Sequence, residues 1–200
     1  MAFTYFFRDL QTLELIAKHV IPDLKRRRYI NTWDAGCAMG PEPYSLAIMF
    51  RENMGNFLFR NVRVYATDID ESGQFGEIID RGAYPETQLK RIPSDILSKY
   101  FLPDAEEGFL RISDEIKRAI DFQQHDILSL QPIREELGLI VCKNVLLHFS
   151  PQDRVAAIRM FHSALSQGGY LATEQTQILP AETAHLFERV TNAGQLFRKM

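Results

Sequence analysis

Apolar positions in this chain fall into two rhythms that alternate along most of its length. Over 9–27 they recur at helical spacing, with Leu10, Leu13, Ile16, Ala17, Val20, Ile21 and Leu24 on one face. Pro22 is expected to kink or end that helix. A buried strand follows from Ile30 through Trp33 to Ala35, then a glycine turn. A helix starts near Pro43, whose missing N–H costs nothing in a first turn, and a turn at 53–56 ends it. Val62, Val64 and Ala66 alternate as a strand over 62–67. The next helix spans 71–81, weakened by Gly73 and Gly76. Gly82-Ala83-Tyr84-Pro85 breaks the chain, and Ser94 is expected to cap a short helix over 95–100. A strand covers 119–124, and the near-continuous apolar run 138–142 suits a central parallel strand. Residues 151–165 form an amphipathic helix with Val155, Ile158, Phe161 and Leu165 inward. Gly168-Gly169 turns into a strand over 170–174, and 185–190 pairs with 196–199 as a hairpin around Asn192-Ala193-Gly194. Strands alternating with helices predict an α/β fold, mostly parallel, with a C-terminal antiparallel hairpin. Residues 103–122 interrupt the rhythm.

The 200 residues suit one domain spanning 1–200, and 46% hydrophobic content is enough for a sizeable core. A net charge of −3 gives no electrostatic case for nucleic-acid binding. No apolar run approaches the roughly 18 residues of a membrane span, and the start has no signal-peptide pattern. Cys37 and Cys142 form no disulfide framework, which fits a cytoplasmic chain. The five histidines are scattered, so no metal site is expected, and there is no G-x-S-x-G elbow. Lys25-Arg26-Arg27-Arg28 reads as a solvated helix end or as a docking patch for an acidic partner.

Candidate chemistry concentrates at Gly36-Cys37-Ala38-Met39-Gly40. A turn there brings backbone N–H groups and a helix N-terminus against a ligand. Asp68-Ile69-Asp70 closes the following strand, where an open α/β sheet grips a ribose hydroxyl pair; Asp70, at a helix start, is expected to be a cap. The loop is not G-x-G-x-x-G, and it lacks the Lys-Ser/Thr of a P-loop. Glu42 is a poor neighbour for a pyrophosphate and a good one for an amino group or sulfonium, which favours S-adenosylmethionine over a dinucleotide. A plain Rossmann-like turn with a solvated Glu42 is the alternative.

These residues resemble those of the CheR-type chemotaxis methyltransferases. Thr4-Tyr5-Phe6-Phe7-Arg8-Asp9 is similar to that family's T-x-F-F-R-D, and Ala35-Gly36-Cys37 with Gly40-Pro41-Glu42-Pro43-Tyr44-Ser45 to its A-G-C-S-T-G-E-E-P-Y-S. Ala66-Thr67-Asp68-Ile69-Asp70 matches A-T-D-I-D, Val141-Cys142-Lys143-Asn144-Val145-Leu146 resembles F-C-R-N-V-L, and Gln167-Gly168-Gly169-Tyr170-Leu171 resembles P-G-G-Y-L. The resemblance implies a class I methyltransferase sheet, Rossmann-like, with a small antiparallel β insert at about 103–122. It implies S-adenosyl-L-methionine as cofactor, S-adenosyl-L-homocysteine as product, and methyl transfer to glutamate side chains of chemoreceptors. By resemblance Thr4 and Arg8 line the cofactor pocket. Glu42 meets the methionine amino group, Asp68 the ribose, and Asp126 with Ile127 the adenine. Asn144 and Val145 lie beside the donor methyl. Arg8 is the candidate clamp for a carboxylate.

The substrate side departs from the family pattern. His148 stands where the family has a tyrosine near the transferred methyl, and the family's G-H-S-E reads Thr173-Glu174-Gln175-Thr176. Pro41 replaces the first Glu of E-E-P, and the motifs begin at Thr4, where the family has a preceding helical domain with a basic face. His148 is therefore a second catalytic candidate, read as buried beside the sulfonium; a residue that merely fills space and faces solvent is the alternative. The leading expectation is an O-methyltransferase acting on a protein carboxylate, with a chemoreceptor cytoplasmic region as partner or a partner chain that supplies recognition. Another acceptor, or a cofactor-binding module acting through protein contacts, are the alternatives.

Overall fold

The computed structural model describes residues 4–200; the first two positions of the aromatic stretch 2–7 lie outside the described residues. Ten strands are present among the described residues. They are β1 (Ile30–Ala35), β2 (Val62–Asp68), β3 (Ala83–Pro85), β4 (Phe101–Pro103), β5 (Phe109–Ile112), β6 (Ile120–Gln124), β7 (Leu137–Cys142), β8 (Leu165–Thr173), β9 (Phe187–Arg189) and β10 (Leu196–Lys199). Seven of them form one sheet in the order β6-β2-β1-β7-β8-β10-β9. β10 runs antiparallel to both β8 and β9, and the remaining pairs are parallel. This is the mostly parallel sheet that the alternation of strands and helices predicts, with the antiparallel hairpin where the glycine-centred turn predicts it.

Side chains alternate across a strand, so the sheet feeds two cores. Ile30, Val62, Val64, Leu139 and Val141 pack under the Pro41–Phe59 helix on one face. Trp33, Ala35, Ile140, Cys142 and Leu171 pack with Ile158 and Phe161 of the Pro151–Ala164 helix on the other. β7 lies fourth of the seven strands and is buried at every position, as its unbroken apolar run predicts.

Several elements differ from the sequence expectation. The N-terminal helix is α-helical over Leu10–Leu15, π-helical over Ile16–Val20 and α-helical again over Ile21–Leu24. Pro22 has no N–H to return to the preceding turn, and the wider π turn just ahead of it absorbs the mismatch. Gly55 (φ 73°, ψ 170°) interrupts the crossover helix where a turn was expected, but helical structure resumes to Phe59. The next helix starts at Phe75 rather than at 71. Asp70 holds the turn before it, accepting from Ser72 Oγ (2.8 Å), Gln74 N (3.2 Å) and Phe75 N (2.9 Å), but it is not the helix's N-cap, a place that Gln74 takes. Ser94 is not a cap: it is the first residue of the Ser94–Tyr100 helix, which follows Pro93. The small antiparallel sheet, in the order β3-β5-β4, spans 83–112 and not 103–122. The rest of the expected insert, the Asp114–Lys117 helix and β6, belongs to the main sheet's own rhythm.

Candidate active site

The strand order reverses between β1 and β7, so their carboxyl ends diverge and leave a crevice. The glycine loop leaves β1 at that point. Gly36 and Cys37 donate to Thr67 O of β2 at 2.8 and 2.9 Å, and Ala38 N donates to Asp68 Oδ2 at 2.9 Å. Gly36 has φ +97°, and a Cβ there would collide with Cγ2 of Val145 after β7. Gly40 has φ +102°, and a Cβ there would lie 2.6 Å from the Tyr84 hydroxyl. The two glycines thus allow a left-handed backbone and a close approach that other residues would block. The helix then begins at Pro41 and buries Glu42 in its first turn.

Beneath the loop is a cluster of buried charge. Asp34, the fifth residue of β1, is fully buried, and neither carboxylate oxygen has a hydrogen-bond partner. Burial holds its carboxyl well above the usual range; the charge of Glu42 adds to the effect and Lys143 opposes it. Glu42 is 9% exposed, its Oε2 lies 3.3 Å from Lys143 Nζ, and its Oε1 has no partner. Lys143 also donates to Arg8 O at 3.2 Å. Buried acceptors without donors are costly. An α-amino group, cationic and carrying three N–H donors, is the complement this acceptor set lacks. The residues therefore fit the methionine end of S-adenosylmethionine.

A second chain of contacts crosses the mouth of the crevice. Arg8 Nη2 donates to Asn144 Oδ1 at 3.1 Å, and its guanidinium lies 5.9 Å from the Tyr5 ring centroid. Asn144 is left-handed (φ 59°), and its N–H donates to Glu174 Oε2 at 3.0 Å. Glu174 Oε1 is buried without a partner. The N-terminal segment is thereby tied to the ends of β7 and β8.

The contacts bring Arg8, Gly36, Glu42, Asp68, Asn144 and Val145 to this one crevice. Asp68 accepts from both Ala38 N and Asp70 N (3.2 Å to Oδ1), leaving acceptor capacity on the carboxylate for further donors. His125 N donates to Asp68 O at 2.8 Å, which carries Asp126 and Ile127 to the same edge. Ile127 is buried, while Asp126 is exposed and caps the short Ile127–Ser129 helix through Leu128 N at 2.8 Å. Thr4 is half-buried at the start of the described chain. His148 departs from expectation: it is exposed, not buried. It ends the Leu146–His148 turn, whose first residue, Leu146, fills the core and sends the next two side chains outward. Asp34 and Glu174 carry no role in the sequence reading. A lone acid in the apolar strand before the glycine loop was the available signal for Asp34.

Comparison with known proteins gives the family and the fold. The family model described as CheR methyltransferase, SAM binding domain, matches residues 2–194. A chemotaxis protein methyltransferase of Vibrio parahaemolyticus is 30% identical over 199 residues, covering 98% of this chain and 71% of the relative. A probable chemotaxis protein methyltransferase of Rhizobium etli is 27% identical, covering 94% and 72%. Among solved structures, the N-methyltransferase NodS from Bradyrhizobium japonicum WM9, in complex with S-adenosyl-L-homocysteine, superposes with TM-score 0.51 at 17% identity, over 94% of this chain and 84% of that one. That likeness speaks to the fold. With its S-adenosylmethionine-binding sheet, glycine loop and acceptor set, the chain belongs to the CheR methyltransferase family.

Proposed function

We propose that this S-adenosylmethionine-dependent methyltransferase esterifies a protein carboxylate of the chemoreceptor-glutamate kind. The observation that carries this reading is the pairing of a buried acceptor set under the glycine loop with an arginine held at the crevice mouth by Asn144. The bound cofactor supplies an electrophilic methyl on a positively charged sulfur. In our reading Glu42 and Asp34 hold its amino group, Asp68 its ribose, and Asp126 with Ile127 its adenine. Thr4, Gly36, Asn144 and Val145 shape the wall beside the methyl. A glutamate is already ionised near neutral pH, so the chain needs no general base; its task is alignment and exclusion of water. Arg8 would orient the incoming carboxylate, since a guanidinium fork matches a carboxylate bidentately. His148, on the outer rim, would contact the substrate rather than the cofactor.

The partner in this reading is a chemoreceptor's cytoplasmic region, and the setting is the cytoplasm. No helix among the described residues is long and apolar enough to cross a membrane. The test is transfer of labelled methyl from the cofactor to receptor-containing membranes, followed by alkali. Release of labelled methanol is expected for a carboxyl ester. Label that survives alkali would transfer the activity to a nitrogen or another oxygen acceptor.

A further inference from the structure

Two concavities lie at the opposite end of the sheet from the glycine loop. One groove, of about 420 Å³, is lined by Arg60, Arg63 and Arg118, with Glu115 at its edge. A second, of about 320 Å³, is lined by Arg60, Arg63, Arg134 and Tyr65. Sharing two arginines, they adjoin as one surface at the N-terminal ends of β1 and β2. Glu115 is already paired with Arg51 (2.5 Å), and none of the four lining arginines makes an ion pair with a described carboxylate. The β6-to-β7 connection, 125–136, contains a 3₁₀ turn rather than a crossover α-helix, so no helix from it covers the strands here.

Three of the arginines are partly pre-ordered. Arg134 Nη1 donates to the Tyr65 hydroxyl at 3.0 Å and stacks on its ring at 5.4 Å. Arg63 Nη1 donates to Val62 O at 3.0 Å, and Arg118 Nε donates to Asp114 O at 3.0 Å. Each keeps other N–H groups facing solvent, so less side-chain freedom is lost when an anion binds. The basic run 25–28 ends at the rim, where Arg28 stacks on Tyr29 at 5.3 Å.

We propose that the joined grooves dock an extended acidic segment of a protein partner, its carboxylates paired by Arg60, Arg63, Arg118 and Arg134. Guanidinium forks match carboxylates bidentately. A short acidic segment feels the local field of the grooves, whereas a long uniform polyanion also meets a chain whose net charge is −3. This surface is separate from the methyl-transfer crevice, and its docking does not depend on which carboxylate is methylated.

The test is fluorescence anisotropy with a labelled peptide of about eight glutamates, at low and moderate salt, beside a thymidine octamer carrying the same label. We expect salt-sensitive peptide binding that Arg60→Glu/Arg63→Glu weakens at least about tenfold. Lys18→Glu/Arg159→Glu, which changes net charge equally on other surfaces, should leave it within about twofold. Cofactor binding by both variants confirms folding. No binding to the parent chain, or equal losses in both variants, overturns the proposal. Tighter binding of the octamer than of the peptide also overturns it and assigns the grooves to nucleic acid.

Discussion

Asp34 is fully buried, and burial, with the charge of Glu42, raises its carboxyl well above the usual carboxylate range. The consequence for stability has a definite sign. Between the unfolded carboxyl's pKa and the raised folded one, the folded state binds the extra proton, so stability falls as pH rises through that window. Asp34→Asn removes this slope. Urea unfolding without cofactor should show the variant gaining on the parent as pH rises from about 4 towards neutrality; a pH-independent difference would mean Asp34 is not the titrating group. Asp68 acts at the same scale. Asp68→Ala should weaken cofactor binding by about 1.5–3 kcal/mol, the range for a hydrogen bond to a charged group, measured by calorimetry. His148→Phe should leave cofactor affinity unchanged and lower turnover, because the imidazole is exposed on the rim; unchanged turnover would remove it from the reaction. Glu42 and Asp68 were legible in the sequence because a carboxylate beside a glycine loop has few other uses. Asp34 was not, since alternation in a strand reports a face and not whether that face reaches water. The same gap explains His148: motif position gave its neighbourhood, but only the turn that buries Leu146 fixes its direction.

At the scale of elements, the loop and the residue after β7 are built as one unit. Gly36→Ala places a methyl against Val145 and forces a side chain onto φ +97°. Strain of this kind costs about 1–3 kcal/mol. We expect a lower melting temperature together with weaker cofactor binding; adding Val145→Ala should recover part of the binding and little of the stability. Two elements were readable, β7 from its unbroken apolar run and the Pro151–Ala164 helix from its apolar spacing, whereas the crossover helix was read to end at 53–56 and its continuation past Gly55 to Phe59 was missed. The small sheet of β3, β5 and β4 was misplaced because strands of three or four residues hold too few alternations to show a period. The late start of the Phe75–Arg81 helix comes from Asp70's side chain, which satisfies the turn's N–H groups and competes with helix.

For the whole molecule, the seven-stranded order matters because it puts residues from distant parts of the sequence at one divide in the sheet. Arg8 reaches Asn144, and Lys143 reaches both Glu42 and the Arg8 carbonyl. The fold class was legible from alternating strands and helices, while this closure of the N-terminal segment over β7 and β8 needs tertiary contacts that no local pattern encodes. The loop also contains a thiol: Cys37 is free and 1% exposed, and burial raises its pKa well above the ordinary value. An alkylating reagent can therefore reach it only when the loop lifts from Thr67 and Asp68, and its labelling rate counts those openings. Saturating cofactor should slow modification of Cys37, read by mass of the peptide that contains it. Cys142, buried in the central strand, should respond to global unfolding instead. Two native thiols thus clock two different motions, with no engineered probe.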